Sequence, residues 1–125
     1  TVAVRQNGPI GIFKKPTLKA GIPHVEAPRA LLSRMICARI HLDPMFDANG
    51  PLRVLPGSHV EENPKTEPVV IHCEAGDVLL MRPLLSHSSA AGNEGYAGHR
   101  RIVHLEVAPS STLPDGYEWH DYLTL

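Results

Sequence analysis

The sequence predicts an all-β chain, a sandwich or jelly roll, on three observations. Its apolar runs are short and recur at close intervals, as strands do. Its 10 Gly and 12 Pro stand between those runs as punctuation, not in a tract. Only one stretch has a helical pattern, and it is short. The opening "TVAV" reads as a strand fragment, and residues 5–25 read as an irregular loop rich in Gly, Pro and Lys, the expected lid over any site. In "EAPRALLSRM" Pro28 suits a first helical position, with Ala30, Leu31, Leu32 and Met35 on one buried stripe. "MICARIHLD" alternates: Ile36, Ala38, Ile40 and Leu42 share one face, expected to be the core, while Cys37, Arg39, His41 and Asp43 share the other, free to line a pocket. "PLRVLP", "EPVVIHC", "GDVLLMRP" and "RRIVHLEVA" are further strands, separated by "DANG", "PGSH", "EAGD" and a longer Ser/Ala/Gly loop. Tyr117, Trp119 and Tyr122 in the tail are suited to packing over a sheet edge or a partner chain.

Composition narrows the classes. At 125 residues, 42% hydrophobic and 20% charged, the chain suits a single domain, 1–125, with a small core. Twelve basic residues against 13 acidic, with no block of like charge, give no footprint for nucleic acid or an anionic membrane. No apolar run is of spanning length and no leader pattern is evident, so a soluble cytoplasmic protein is expected, although a chain opening at Thr1 leaves residues upstream open. Cys37 and Cys73, outside any C-x-x-C, suit reduced thiols better than a disulfide framework or a zinc site. Eight histidines are many, but His also serves as a strand-end hydrogen bonder, so position has to decide.

Position points to one family. The blocks "ARIHLDPMFDANGPLRVLPGSH" and "GDVLLMRPLLSHSSAAGN", followed by "HRRIVHLEVA", resemble the phytanoyl-CoA dioxygenase-like group of Fe(II)- and 2-oxoglutarate-dependent oxygenases, and the likeness runs over about residues 1–108. A lone PGSH would be weak; these blocks in this order are specific. The resemblance implies a double-stranded β-helix, a cupin-like jelly roll, with this chain corresponding to the C-terminal part of the family fold. Iron in such enzymes is held by two His and a carboxylate, leaving positions for bidentate 2-oxoglutarate and dioxygen. His87 matches the distal His ligand. Arg100 matches the Arg whose fork grips the far carboxylate of 2-oxoglutarate, a geometry Lys reproduces poorly. A register change of one residue would exchange it for Arg101. Ser89 matches a hydroxyl that helps hold the cosubstrate, and Arg39 falls where relatives place an aromatic residue beside it. His59 of PGSH matches a structural His that braces the turn.

The other two ligands form an H-x-D motif in the family, expected upstream of Thr1. Two internal pairs compete for that role: His24 with Glu26, and His41 with Asp43, the latter in the strand before the NG turn, where Asp43 reads as a turn former. The resemblance implies an enzyme that uses Fe(II) and the cosubstrate 2-oxoglutarate to hydroxylate a small organic substrate, releasing succinate, unless this chain is truncated or silent. No residue is assigned as a catalytic acid, base or nucleophile. The alternatives are a cupin-like jelly roll that binds a small ligand without oxidising it, with Gly76, Pro83, His87 and Asn93 as its near-match, and a structural module that forms a homodimer through the aromatic tail.

Overall fold

Short runs pair into strands, most of them across long stretches of sequence, and the regular structure of the computed structural model is almost entirely strand, in three small antiparallel sheets. It describes residues 1–5 and 11–124. The chain divides into two compact units, Met35–Val107 and Thr1–Arg34 with Ala108–Leu125.

In Met35–Val107, β4 (Ile36–His41) is the central strand of one sheet, between β7 (Val78–Met81) and β9 (Ile102–Val107). Its register with β9 runs from Ile36 opposite Val107 to His41 opposite Ile102, and with β7 from Cys37 opposite Met81 to Ile40 opposite Val78. The second sheet has β5 (Leu52–Val54) between β6 (Val69–Ile71) and β8 (His87–Ser89). Cys37 and Met81 from the first sheet and Leu52 from the second are buried in one cluster with Met45, with Val54, Ile71, Cys73, Leu79 and Leu85 packed against it. Residues directly opposite in antiparallel strands share a face. The cluster therefore defines the inward face of each sheet.

That face corrects one expectation. Cys37 and His41 are buried, at 4% and 1% exposure, whereas Ile36 and Leu42 are exposed. The inward set on β4 is Cys37, Arg39 and His41, and the apolar set Ile36, Ala38 and Ile40 faces outward with Val78, Leu80, Val103 and Leu105 on the flanking strands. Alternation separates the two sets but does not choose between them. Here the choice follows from Met81 and Leu52, which close over Cys37.

In the other unit, β1 (Val2–Ala3) and β2 (Lys14–Lys19) both pair with β3 (Ile22–Glu26). The expected lid loop over residues 5–25 is thus largely a hairpin; its residues 6–10 lie outside the described residues. β2 is exposed throughout, and its Pro16 falls where the register shifts between Lys14 and Thr17, a place that tolerates a residue without an N–H on an edge strand. The two-residue connection, Ala20-Gly21, has positive φ at both positions, which matches the twist of a tight hairpin. The helix α1 (Arg29–Leu32) is only one turn long, with Pro28 as its N-cap, and none of its residues is buried. Of the expected stripe only Met35, beyond its end, is buried, because four residues do not make a face. Tyr117 and Trp119 are buried, with Trp119 bridged to Val4 and the Tyr117 ring packed against Phe13 at 4.4 Å, tilted by 40°. Tyr122 is exposed.

The NG turn sets the start of β5. Asn49 is buried; its Oδ1 accepts from the Phe46 N–H at 2.9 Å and its Nδ2 donates to the Pro44 carbonyl at 2.8 Å. Gly50 follows at φ 73°, and the loop after β8 lies so close that a Cβ there would meet the Ala90 carbonyl oxygen and sit 2.9 Å from the Ala91 carbonyl carbon. Gly57, at φ 83°, has open space with its nearest neighbour at 3.7 Å. Both sites carry the left-handed penalty, but only one adds a backbone clash, so urea unfolding should find Gly50→Ala less stable than Gly57→Ala by about 2 kcal/mol or more. Equal losses would show that the close approach of the two loops contributes nothing.

Candidate functional site

The inward face of the β7-β4-β9 sheet is basic where a core would be apolar. β4 alternation aims Arg39 and His41 into it, and Arg100, two residues before Ile102, continues the same face beyond the start of β9. Arg39 Nε, both ring nitrogens of His41 and Arg100 Nη1 are buried without a hydrogen-bond partner among the described residues. Burial pushes the Arg39 pKa below its ordinary value, and the nearby Arg100 adds to the push. Burial also lowers the pKa of His41, with Arg39 and Arg100 acting in the same direction and Asp77 opposing, so its ring is neutral near pH 7. Buried donors without acceptors are costly, by about 1–3 kcal/mol each and more for charged groups. Two guanidinium groups with donors to spare, on one face, have the chemistry of a carboxylate cradle.

Arg101 is built for a different task. Its Nε and Nη2 both donate to the Asp43 carboxylate at 2.8 Å, and its backbone N–H donates to the same group. Arg101 in turn holds the Asp43 carboxyl well below the usual carboxylate range. The pair ties the end of β4 to the start of β9, fixing the register that sends Arg100 inward. It also engages Asp43 fully, so the His41/Asp43 pair does not present a free carboxylate.

His87 opens β8 opposite Val54, and Ser89 lies opposite Leu52. Both therefore share the inward face of the β6-β5-β8 sheet, and both are exposed to solvent. The His87 Nδ1 is 2.7 Å from the Leu85 carbonyl oxygen, which calls for Nδ1–H as donor and leaves Nε2 with its lone pair free, the tautomer a metal ligand needs. In PGSH, Ser58 also ties the turn down. Its hydroxyl donates to the Leu55 carbonyl at 2.7 Å and accepts from the Ser86 N–H at 2.8 Å, setting the residue just before His87. His59 is half-buried at the same turn.

His24 and Glu26 belong to the other unit. Val25 between them is buried, so the two point to the opposite face of β3. His24 Nδ1 is 3.0 Å from the Ile22 carbonyl oxygen, and Glu26 forms a 2.8 Å ion pair with Lys15 that lowers its pKa. Among the residues reasoned from sequence, Arg39 and Arg100 are brought to one face of one sheet, and His87 and Ser89 to one face of another. Sequence reasoning weighs His41 only as a metal ligand paired with Asp43, and does not single out Ser58. The signal for His41 was its place two positions from Arg39; the signal for Ser58 was a hydroxyl in a turn, which is common in any loop.

The two sheets of this all-β unit share a core, and the inward face of the first carries Arg39 and His41. The family model for phytanoyl-CoA dioxygenase (PhyH) matches residues 4–102, and the chain belongs to that family. No curated protein and no solved structure matches it. Among the described residues no helix is long and apolar enough to cross a membrane.

The unpaired guanidinium has a measurable consequence for the ligand-free chain. Arg39→Met keeps the unbranched apolar stem and removes the half-buried charge and its repulsion with Arg100. It should raise the stability of the ligand-free chain by about 1 kcal/mol in urea unfolding, as replacing an uncompensated buried charge does. A loss of stability would mean that the guanidinium is already paired.

Proposed function

We propose that this chain works as an Fe(II)- and 2-oxoglutarate-dependent oxygenase on a double-stranded β-helix, hydroxylating a small organic substrate. The observation that carries the reading is the pair of buried, unpartnered donors on Arg39 and Arg100. A dicarboxylate cosubstrate supplies the acceptor they lack, and its far carboxylate matches the Arg100 fork. The two sheets sharing one core support the fold, and family membership supports the chemistry.

The residues present fit the cosubstrate well and the iron in part. His87 has an open Nε2, while Glu26 and Asp43 are engaged by Lys15 and Arg101. His87 would hold the metal, and the cofactor pair would supply the oxidising power. The chain's own share is orientation. Arg100 and Arg39 fix the cosubstrate by its far end, the neutral His41 offers a donor without adding a third charge, and the Ser89 hydroxyl is available as a further anchor.

The test is cosubstrate affinity under anaerobic conditions with Fe(II) present. Arg100→Ala should weaken 2-oxoglutarate by about 2–4 kcal/mol, because truncation strands a carboxylate as well as losing a charge-assisted pair. Arg101→Ala should cost clearly less, about 1 kcal/mol or under, because the β4–β9 ladder and the burial of Cys37 still hold the register. Equal losses from the two variants would overturn the assignment of the anchor.

A further inference from the structure

One cluster on the same sheet is absorbed by none of this. His104 and Glu106 are two apart on β9, so they project to the same face in an H-x-E arrangement, and Cys37 is the register partner of Glu106 across the ladder. The three donor atoms, one sulfur, one imidazole nitrogen and one carboxylate oxygen, lie within 4.8 Å of one another. His104 Nε2 is 3.8 Å from Glu106 Oε1, too far for a hydrogen bond. Among the described residues neither side chain has another partner.

We propose that Cys37, His104 and Glu106 form a zinc site with three protein ligands and a fourth position open to solvent. The donor types match. A thiolate, an imidazole and a carboxylate are all zinc ligands, and the soft sulfur favours zinc over ferrous iron. The distances are near those required, since tetrahedral bonds of about 2.0–2.3 Å put donor atoms about 3.3–3.6 Å apart. Closing the group by about 1 Å takes rotamer adjustment of His104 and Glu106, both exposed enough to move. Binding replaces the Cys37 S–H bond with an S–Zn bond and releases that proton to solvent, so zinc affinity rises with pH. Burial and Glu106 raise the thiol's pKa without the metal. Arg39, opposite His104, is the cationic neighbour that opposes the ion. The two anionic ligands neutralise the metal's charge locally. Neither His87 nor Arg100 belongs to this group, but Arg39 of the cosubstrate cradle stands directly opposite His104, so the two sites are neighbours on one face.

The experiment titrates the full chain with Zn²⁺ against a chromogenic chelator and with Co²⁺ as a spectroscopic reporter. One zinc per chain is expected, with affinity lowered at least tenfold by His104→Gln and by Glu106→Gln, both changes at exposed positions whose folding circular dichroism can check. The Co²⁺ adduct should show a thiolate-to-metal charge-transfer band in the near ultraviolet that Cys37→Ser abolishes and Cys73→Ser retains. Zinc affinity unchanged by His104→Gln and Glu106→Gln, or a Co²⁺ adduct of the unsubstituted chain without the thiolate band, would overturn the proposal.

Discussion

The register of β4 against β9 is the constraint on which the rest of the site depends. Because side chains alternate with a period of two, a shift of one residue would turn Arg39 and His41 outward and bring Ala38 and Ile40 inward. Three interactions hold the register. Cys37 is buried under Met81 and Leu52; backbone pairing runs from Ile36 to His41; and the Asp43–Arg101 fork closes the end at 2.8 Å. The fork does more than join two strands. By engaging Arg101 it leaves Arg100 with the opposite direction, its Nη1 without a hydrogen-bond partner among the described residues.

The second sheet is positioned by its turns more than by its strands, which are only three residues long. Asn49 folds the chain back on Pro44 and Phe46, Gly50 lets the loop after β8 approach, and the Asn93 N–H donates to the Ala48 carbonyl at 2.8 Å. Ser58 ties the turn after β5 to the residue before His87. Each contact is small, about 1 kcal/mol for a hydrogen bond, yet together they fix where β8 begins. The imidazole that opens β8 then takes its tautomer from the Leu85 carbonyl.

How much of this was legible depended on whether the signal was local. The strands at 36–41, 52–54, 69–71, 78–81 and 102–107 fall inside the stretches that alternation and turn residues mark out. The hairpin over residues 14–26 was hidden because "KKPTLK" has no apolar face and contains a Pro, so nothing in its letters separates an edge strand from a loop. The inward face of β4 was read the wrong way round because an apolar set normally marks the core; here partners distant in sequence, Met81 and Leu52, choose the other side. Motif order suggested Arg100 over Arg101, and register supplied a physical reason to separate them: one guanidinium is already paired. The cluster of Cys37, His104 and Glu106 needed the ladder itself, since 67 positions separate Cys37 from His104.

The central claim is that Arg39 and Arg100 are held unpaired so that a carboxylate can pair them. A crystal structure of the chain with 2-oxoglutarate, grown anaerobically, tests it most directly. The far carboxylate should lie about 3 Å from both Arg39 Nε and Arg100 Nη1, with the Asp43–Arg101 pair intact. A carboxylate bound at Arg101 in place of Asp43, or bound elsewhere with both inward guanidiniums untouched, would contradict it.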